Sequence, residues 1–154
     1  MKITHALRGE HGAIYPLLDI IQESAPVVGI ESIRTQARIL RATLMSHADI
    51  EDAVLRPAIE RYLPEPAPEP DGSRPPSDHQ RIRAGLEHAM DAGLVEEARR
   101  LLIQTVEAIS RHFAKEEGVI FAIAECELPE EVQHDLGARW SALRRMPPAP
   151  QPRA

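Results

Sequence analysis

An ionisable pair set on an apolar helical stripe constrains this chain more than any other feature. From Ile30 the stripe reads Ile30, Ile33, Ala37, Leu40, Leu44, His47 and Glu51, in alternating steps of three and four. That rhythm marks the face of a bundle helix that turns inward. His47 and Glu51 lie one turn apart on this face. An unpaired charge there would be very costly to bury, so the pair needs hydrogen-bond partners or a metal.

The same device recurs 65 residues further on. His112 and Glu116 repeat the spacing, in phase with Leu102, Thr105, Ile109, Val119 and Ile123. A single His-x-x-x-Glu is usually a solvated surface pair, but two copies in phase with apolar stripes point inward. Two further histidines occupy such stripes. His11 falls in line with Leu7, Ile14, Leu18 and Ile21, and His79 with Ile82, Leu86 and Met90.

Composition sets the frame for these stripes. A chain of 154 residues suffices for one domain with a sizeable core. Aromatic residues make up only 3%, and the abundance of Ala, Leu, Ile, Glu and Arg favours helices over strands. A net charge of −6 argues against a nucleic-acid surface. No apolar run approaches a membrane span and no secretory signal opens the chain, so a soluble cytoplasmic protein is expected. The single cysteine, Cys126, excludes an internal disulfide and a cysteine-based zinc cluster. It reads as a small packed hydrophobe near a helix end.

Taken in order, the chain predicts a first helix from about Thr4, with Thr4 as its cap, to Ser24. A second runs from about Ile30 to Tyr62, with Pro57 able to bend it. Residues 63–77 hold six prolines and form an extended connector. A third helix opens at Ser77 with Gln80 completing a capping box, and closes at Gly93 as a left-handed cap. A fourth runs from about Leu94 to Glu125. After Pro129 a shorter fifth helix, apolar at Val132, Leu136, Trp140 and Leu143, packs across the others as a lid. Its acidic start at Glu130 and Glu131 and basic end at Arg144 and Arg145 suit the helix dipole. The expected fold is all-α: an up-and-down four-helix bundle over residues 1–146 with a short C-terminal helix, then a disordered Pro-rich tail.

Short connections make neighbouring helices antiparallel, which brings His11 and His47 to similar depth. The connector is long enough to return His79 to that level. His11, His47, Glu51, His79, His112 and Glu116 then converge. Four imidazoles and two carboxylates in a dry cavity make a transition-metal site. The doubling suggests two metals bridged by the glutamates, whose two oxygens suit that role. Ferritin-like di-iron bundles use Glu-x-x-His, a different spacing. Glu10, Asp52 and Glu117 flank ligands and are either outer partners of them or solvated charges. His5, His88 and His134 read as surface residues.

The order His, His-x-x-x-Glu, His, His-x-x-x-Glu resembles the hemerythrin-like (HHE cation-binding) family. The local contexts resemble it too: Glu10 and His11, His47 to Pro57, Asp78 and His79, and the run from His112 to Glu117. The resemblance implies a four-helix bundle with two non-haem iron ions joined by an oxo or hydroxo bridge, zinc or manganese being substitutes. It implies dioxygen, nitric oxide or peroxide as small ligands, in sensing or redox response. The alternative is a non-enzymatic iron-binding, iron-sensing or storage protein, and a metal-free structural bundle is a third reading.

The chain departs from the family pattern where oxygen carriers have a further histidine four residues after the first in the third helix. That position is Arg83. With the long connector, this favours a sensing or redox-reactive variant over a carrier. Tyr15, one turn beyond His11, occupies the equivalent place in the doubled pattern. Tyr15 and Arg83 are therefore candidates to lean over the site as an extra ligand or gate. The competing expectation for Tyr15 is core packing with its hydroxyl bonded elsewhere.

Overall fold

A computed structural model describes residues 1–145 except Pro66 and Gly72. The chain is helical, with no strand among the described residues. The elements are α1 (Ile3–Ser24), α2 (Ile30–Val54), a short α3 (Arg56–Ile59) with a 3₁₀ turn (Glu60–Tyr62), α4 (Asp78–Asp91), α5 (Val95–Lys115), a π turn (Glu116–Ile120), α6 (Phe121–Glu127) and α7 (Glu130–Arg145). Helices α1, α2, α4 and α5 pack on one another as a helical bundle, and α7 lies against α1 and α2. None of the described helices is long and apolar enough to cross a membrane.

The periodic stripes become the buried faces. On α1, Leu7, His11, Ile14, Leu18 and Ile21 are all buried. On α2 the buried run is Ile33, Ala37, Leu40, Leu44, His47 and Glu51. On α4, His79, Ile82 and Leu86 are buried, with Ala89 rather than Met90 completing the face.

The apolar interior falls into two clusters. One gathers Ile14, Leu18, Leu40, Leu44, Ile82, Leu86, Ile109 and Phe113. The other gathers Leu7, Val54, Leu55, Ile59, Phe121, Ala124 and Leu136. Except on α4, which opens at the layer with His79, the histidine–glutamate layer lies between the two clusters in sequence. Leu7 and Ile14 flank His11; Leu44 and Val54 flank His47 and Glu51; Phe113 and Phe121 flank Glu116.

Helix ends differ from expectation in instructive ways. Thr4 is buried inside α1, and Lys2 at the N-cap supplies no side-chain bond. Helix α2 stops at Val54 and the chain restarts at Arg56. Pro57 has no N–H for the carbonyl of Ala53, and the predicted long helix is interrupted at Leu55, whose backbone stays in the right-handed helical region. Ser77 does cap α4: its Oγ accepts from the Gln80 N–H at 3.2 Å, and the Ser77 N–H donates to Gln80 Oε1 at 2.8 Å. Gly93 is not a left-handed cap, and α4 ends at an extended Ala92.

The fourth predicted helix contains an irregularity that periodicity did not show. At Glu116–Ile120 the chain makes a π turn, closed by the Phe121 N–H on the Glu116 carbonyl. One extra residue per turn rotates everything beyond it. Phe121 and Ala124 become the buried residues, while Val119 is 50% exposed. Cys126, expected to be packed, is exposed for the same reason.

Helix α7 buries a face rotated from the one predicted. Leu136 is buried and Trp140 packs on the second cluster as expected, Gln133 and Gly137 are buried beside them, and Val132 and Leu143 are exposed. Gly137 lies so close to the chain start that a Cβ would meet the Met1 carbonyl oxygen at 2.0 Å. The helix thus seats its glycine face on α1 and turns Trp140 and Arg144 toward the bundle.

Among its described residues the connector, 63–77, has no helix, as expected, but it carries a local turn in which the Glu69 N–H donates to the Ser73 carbonyl at 2.9 Å. The tail expected from Met146 to Ala154 lies outside the described residues. From Glu65 to Arg74 every described residue is exposed. Replacing that segment with an equally long Gly/Ser linker is expected to leave metal content unchanged. Metal analysis checks this, and a loss would show that the connector shapes the site.

Candidate metal centre

All six predicted ligand residues are buried together. His11 is 0% exposed, His47, Glu51 and Glu116 are 2%, His112 is 7% and His79 is 8%. His11 comes from α1, His47 and Glu51 from α2, and His79 from the first turn of α4. His112 lies in the last turn of α5, and Glu116 opens the π turn.

Glu116 is the shared member. Its Oε2 lies 3.3 Å from His11 Nε2, while its Oε1 lies 3.0 Å from His112 Nε2 and 3.9 Å from His79 Nε2. One carboxylate therefore serves two histidine pairs, one oxygen to each. Glu51 Oε2 is 3.5 Å from His79 Nε2 and 3.8 Å from His47 Nε2. Two metal-sized groupings result: Glu51, His79, His112 and Glu116 on one side, and His11, His47 and Glu116 on the other.

Three of the four imidazoles are held from behind by a carboxylate on Nδ1, whereas His112 Nδ1 is buried without a hydrogen-bond partner. Glu117 Oε1 is 2.8 Å from His11, Glu10 Oε2 is 2.7 Å from His47, and Asp52 Oδ2 is 3.3 Å from His79. Asp78 stands 3.7 Å from His112, drawn off by Lys115 at 2.8 Å. Carboxylates in this position fix the tautomer, leaving the Nε2 lone pair free to bind a metal. Glu10 is itself gripped by α7: Trp140 Nε1 donates to it at 2.8 Å, and Arg144 bridges it to Ser46.

The inward atoms do not satisfy one another. Despite the short separations, the angles leave Glu51 Oε2, both Glu116 oxygens, His79 Nε2 and His112 Nε2 buried without a hydrogen-bond partner. Such orphaned groups are costly unless something else binds them. His11 Nε2 and His47 Nε2 face each other at 3.1 Å. With both Nδ1 atoms donating to carboxylates, these are two lone pairs in contact, which only a shared proton or a cation makes favourable. Two nitrogens at ~2.1 Å from one metal and at a right angle to each other would be ~3.0 Å apart. The residues fit a divalent transition metal, for which imidazole and carboxylate are ordinary ligands.

Without metal, the charges sort themselves unevenly. Burial, together with the neighbouring Glu116 carboxylate, pushes the Glu51 carboxyl up. Burial acts the same way on Glu116, but the His11 and His112 imidazoles outweigh it and hold that carboxyl well below its usual range. Burial alone would lower His79, yet Asp52 and Glu51 push it up to about 10.

The chain matches no family model, and no curated protein or solved structure is similar enough to it to count as a match. What it can do is therefore read from the cluster itself.

The two candidate extra residues do not join the cluster. The Tyr15 hydroxyl donates to Glu117 at 3.4 Å, behind His11, and its ring packs edge-on against Phe113. Arg83 is exposed, its guanidinium 3.9 Å from Asp49. The buried positions of α4 are 79, 82, 86 and 89, and a guanidinium on the flank keeps its hydration. Tyr15→Phe removes one long hydrogen bond and no inward group, so unchanged metal content is expected, checked by metal analysis.

Asp78, Trp140 and Arg144 are site-supporting residues that the sequence reading did not assign. Asp78 could have been found, since it directly precedes His79. Nothing local linked Trp140 or Arg144 to Glu10, from which they are 130 and 134 residues distant. The surface assignment of His5, His88 and His134 holds.

Proposed function

We propose that this chain is a hemerythrin-like protein, an up-and-down four-helix bundle holding two iron ions that bind or react with dioxygen, nitric oxide or peroxide. The observation that carries the reading is the division of Glu116, one oxygen to each histidine pair. The order in which the helices meet the two apolar clusters supports the up-and-down arrangement: α1 passes from the second to the first, α2 from the first to the second, and α5 leaves the first for α6 to enter the second.

His11, His47 and Glu116 would hold one ion, and His79, His112, Glu51 and Glu116 the other. Such a pair supplies reversible one-electron chemistry next to a bound small ligand. The chain's own residues do the rest. Glu10, Glu117 and Asp52 keep the imidazoles oriented. Phe113 and Phe121 exclude water from the His11 side.

Anaerobic ferrous protein mixed with dioxygen, nitric oxide or peroxide tests this. A prompt change in the visible spectrum with iron retained is the expected result. Iron retained with no response to any of the three would instead favour an iron-sensing or storage role.

A further inference from the structure

We propose that a surface cleft between α4 and α5, outside the histidine–glutamate layer, binds a small organic phosphate, and that the bound phosphate lets Asp78 become the outer partner of His112. The second half rests on the metal reading above; the first does not. The cleft has a volume of about 320 Å³, room for roughly ten water-sized groups. Both walls supply cations: Arg81 from α4, Arg111 and Lys115 from α5. On α5 these follow Ala108 in steps of three and four, a stripe beside the buried Thr105, Ile109 and His112. Gly85 seats α4 against α5, since a Cβ there would meet Thr105 Oγ1 at 2.4 Å. The cleft lies nearer the start of α4 than that contact.

The positive charge is local. The whole chain carries −6, yet the cleft sets three cations against Asp78 alone. Two of them are loosely engaged: Arg81 is 3.7 Å from Asp78, and Arg111 is 3.8 Å from Glu107, one turn back on α5. Both guanidiniums are exposed and free to close on a ligand. Two planar forks from facing helices, with one ammonium between helix ends, suit the several oxygens of a phosphate dianion better than a lone carboxylate. Ile82 and Ala108 add apolar surface for an organic group.

One pairing at this place is left open by the chain itself. His11, His47 and His79 each have a carboxylate at Nδ1, but His112 Nδ1 is buried and unpartnered. The Asp78 carboxylate is 3.7 Å from it and is held instead by Lys115 at 2.8 Å. A phosphate in the cleft competes for Lys115. Asp78 is then released to accept from the His112 Nδ1–H, and its repulsion of the phosphate is lessened. The ligand stays on the outer edge of His112 and never enters the layer. By linkage, a metal that fixes His112 with Nδ1–H outward and a phosphate that frees Asp78 each favour the other.

Calorimetric titration of the purified full chain with phenyl phosphate, inorganic phosphate and benzoate tests the site. Phenyl phosphate should bind about fivefold more tightly than inorganic phosphate and at least about tenfold more tightly than benzoate. Arg81→Gln combined with Arg111→Gln should weaken it about thirtyfold. Arg38→Gln combined with Arg139→Gln, the same charge change at exposed positions on α2 and α7, should leave it within about twofold. The link to His112 is read from zinc-loaded chain as the rate of zinc loss to a chromogenic chelator. Saturating phenyl phosphate should slow that loss about fivefold. Asp78→Asn, which removes the one anion of the cleft, should bind phenyl phosphate at least as tightly yet show no slowing. Absent binding, equal binding of benzoate, or equal weakening in the two double variants would overturn the site. Phenyl phosphate bound without slower zinc loss, or slowing kept in Asp78→Asn, would overturn the link and leave the site standing. A chain that takes up no metal would overturn the link together with the metal reading, and calorimetry would still decide the site.

Discussion

Glu116→Gln is expected to abolish both metal sites at once. The amide nitrogen cannot ligate, so one of the two oxygens that divide between His11 and His112 is lost. The negative charge that both sites share is lost too. Metal per chain should fall at least tenfold, and the remaining buried imidazoles should lower stability further. Glu51→Gln should be milder, because Glu51 belongs to only one of the two groupings. Glu117→Gln, which touches metal only through His11 Nδ1, should retain metal with affinity lowered about 10- to 100-fold. Metal analysis of the purified variants gives the ranking. Equal metal content in Glu116→Gln and wild type would mean that the shared carboxylate is not a ligand.

Removing metal is expected to cost the fold much of its stability. A ligand at ~1,000 times its Kd stabilises the folded chain by ~4 kcal/mol. In a chain of this size that corresponds to a rise in Tm of about 10 °C. The difference should widen as pH rises. In the metal-free chain His79 is pushed up to about 10 from an ordinary 6.5. Its contribution is fully present below 6.5 and lost as pH climbs through about 10. The raised Glu51 carboxyl acts in the same direction, since its protonated form is favoured in the fold and disappears as pH rises. Glu116, held low, acts oppositely: its contribution is present above 4.5 and lost in acid. The metal-free chain should therefore be most stable in mild acid. Metal binding follows the reverse rule, because protons compete for the imidazoles and carboxylates. Thermal melts of both forms at about pH 6 and about pH 9 check this. A Tm difference that is absent, or that shrinks with rising pH, would contradict the account.

The six ligand residues were legible because helical periodicity is strict where a face must be buried. His47 and Glu51 continue a stripe that starts at Ile30, and any other phase would expose Leu40 and Leu44. The π turn was not legible. Val119 and Ile123 extend the α5 stripe as well as Phe121 and Ala124 do, and only tertiary packing chooses between them. Gly118, a poor helix former, was the one local hint. The face of α7 was legible only in part. Leu136 and Trp140 of its predicted stripe pack inward, but close approach to Met1 at Gly137 and the attraction of Arg144 to Glu10 turn the helix so that Val132 and Leu143 are exposed. Long-range charge pairs of that kind leave no periodic trace in a sequence.

On the function proposed above, the buried histidine–glutamate layer exists to hold metal. The most direct measurement is metal content of the freshly purified chain, with ferrous iron offered anaerobically to whatever is not loaded. About two iron ions per chain are expected, or an equivalent load of zinc or manganese that iron can replace. Purified protein with no bound transition metal and no uptake of ferrous iron would contradict it.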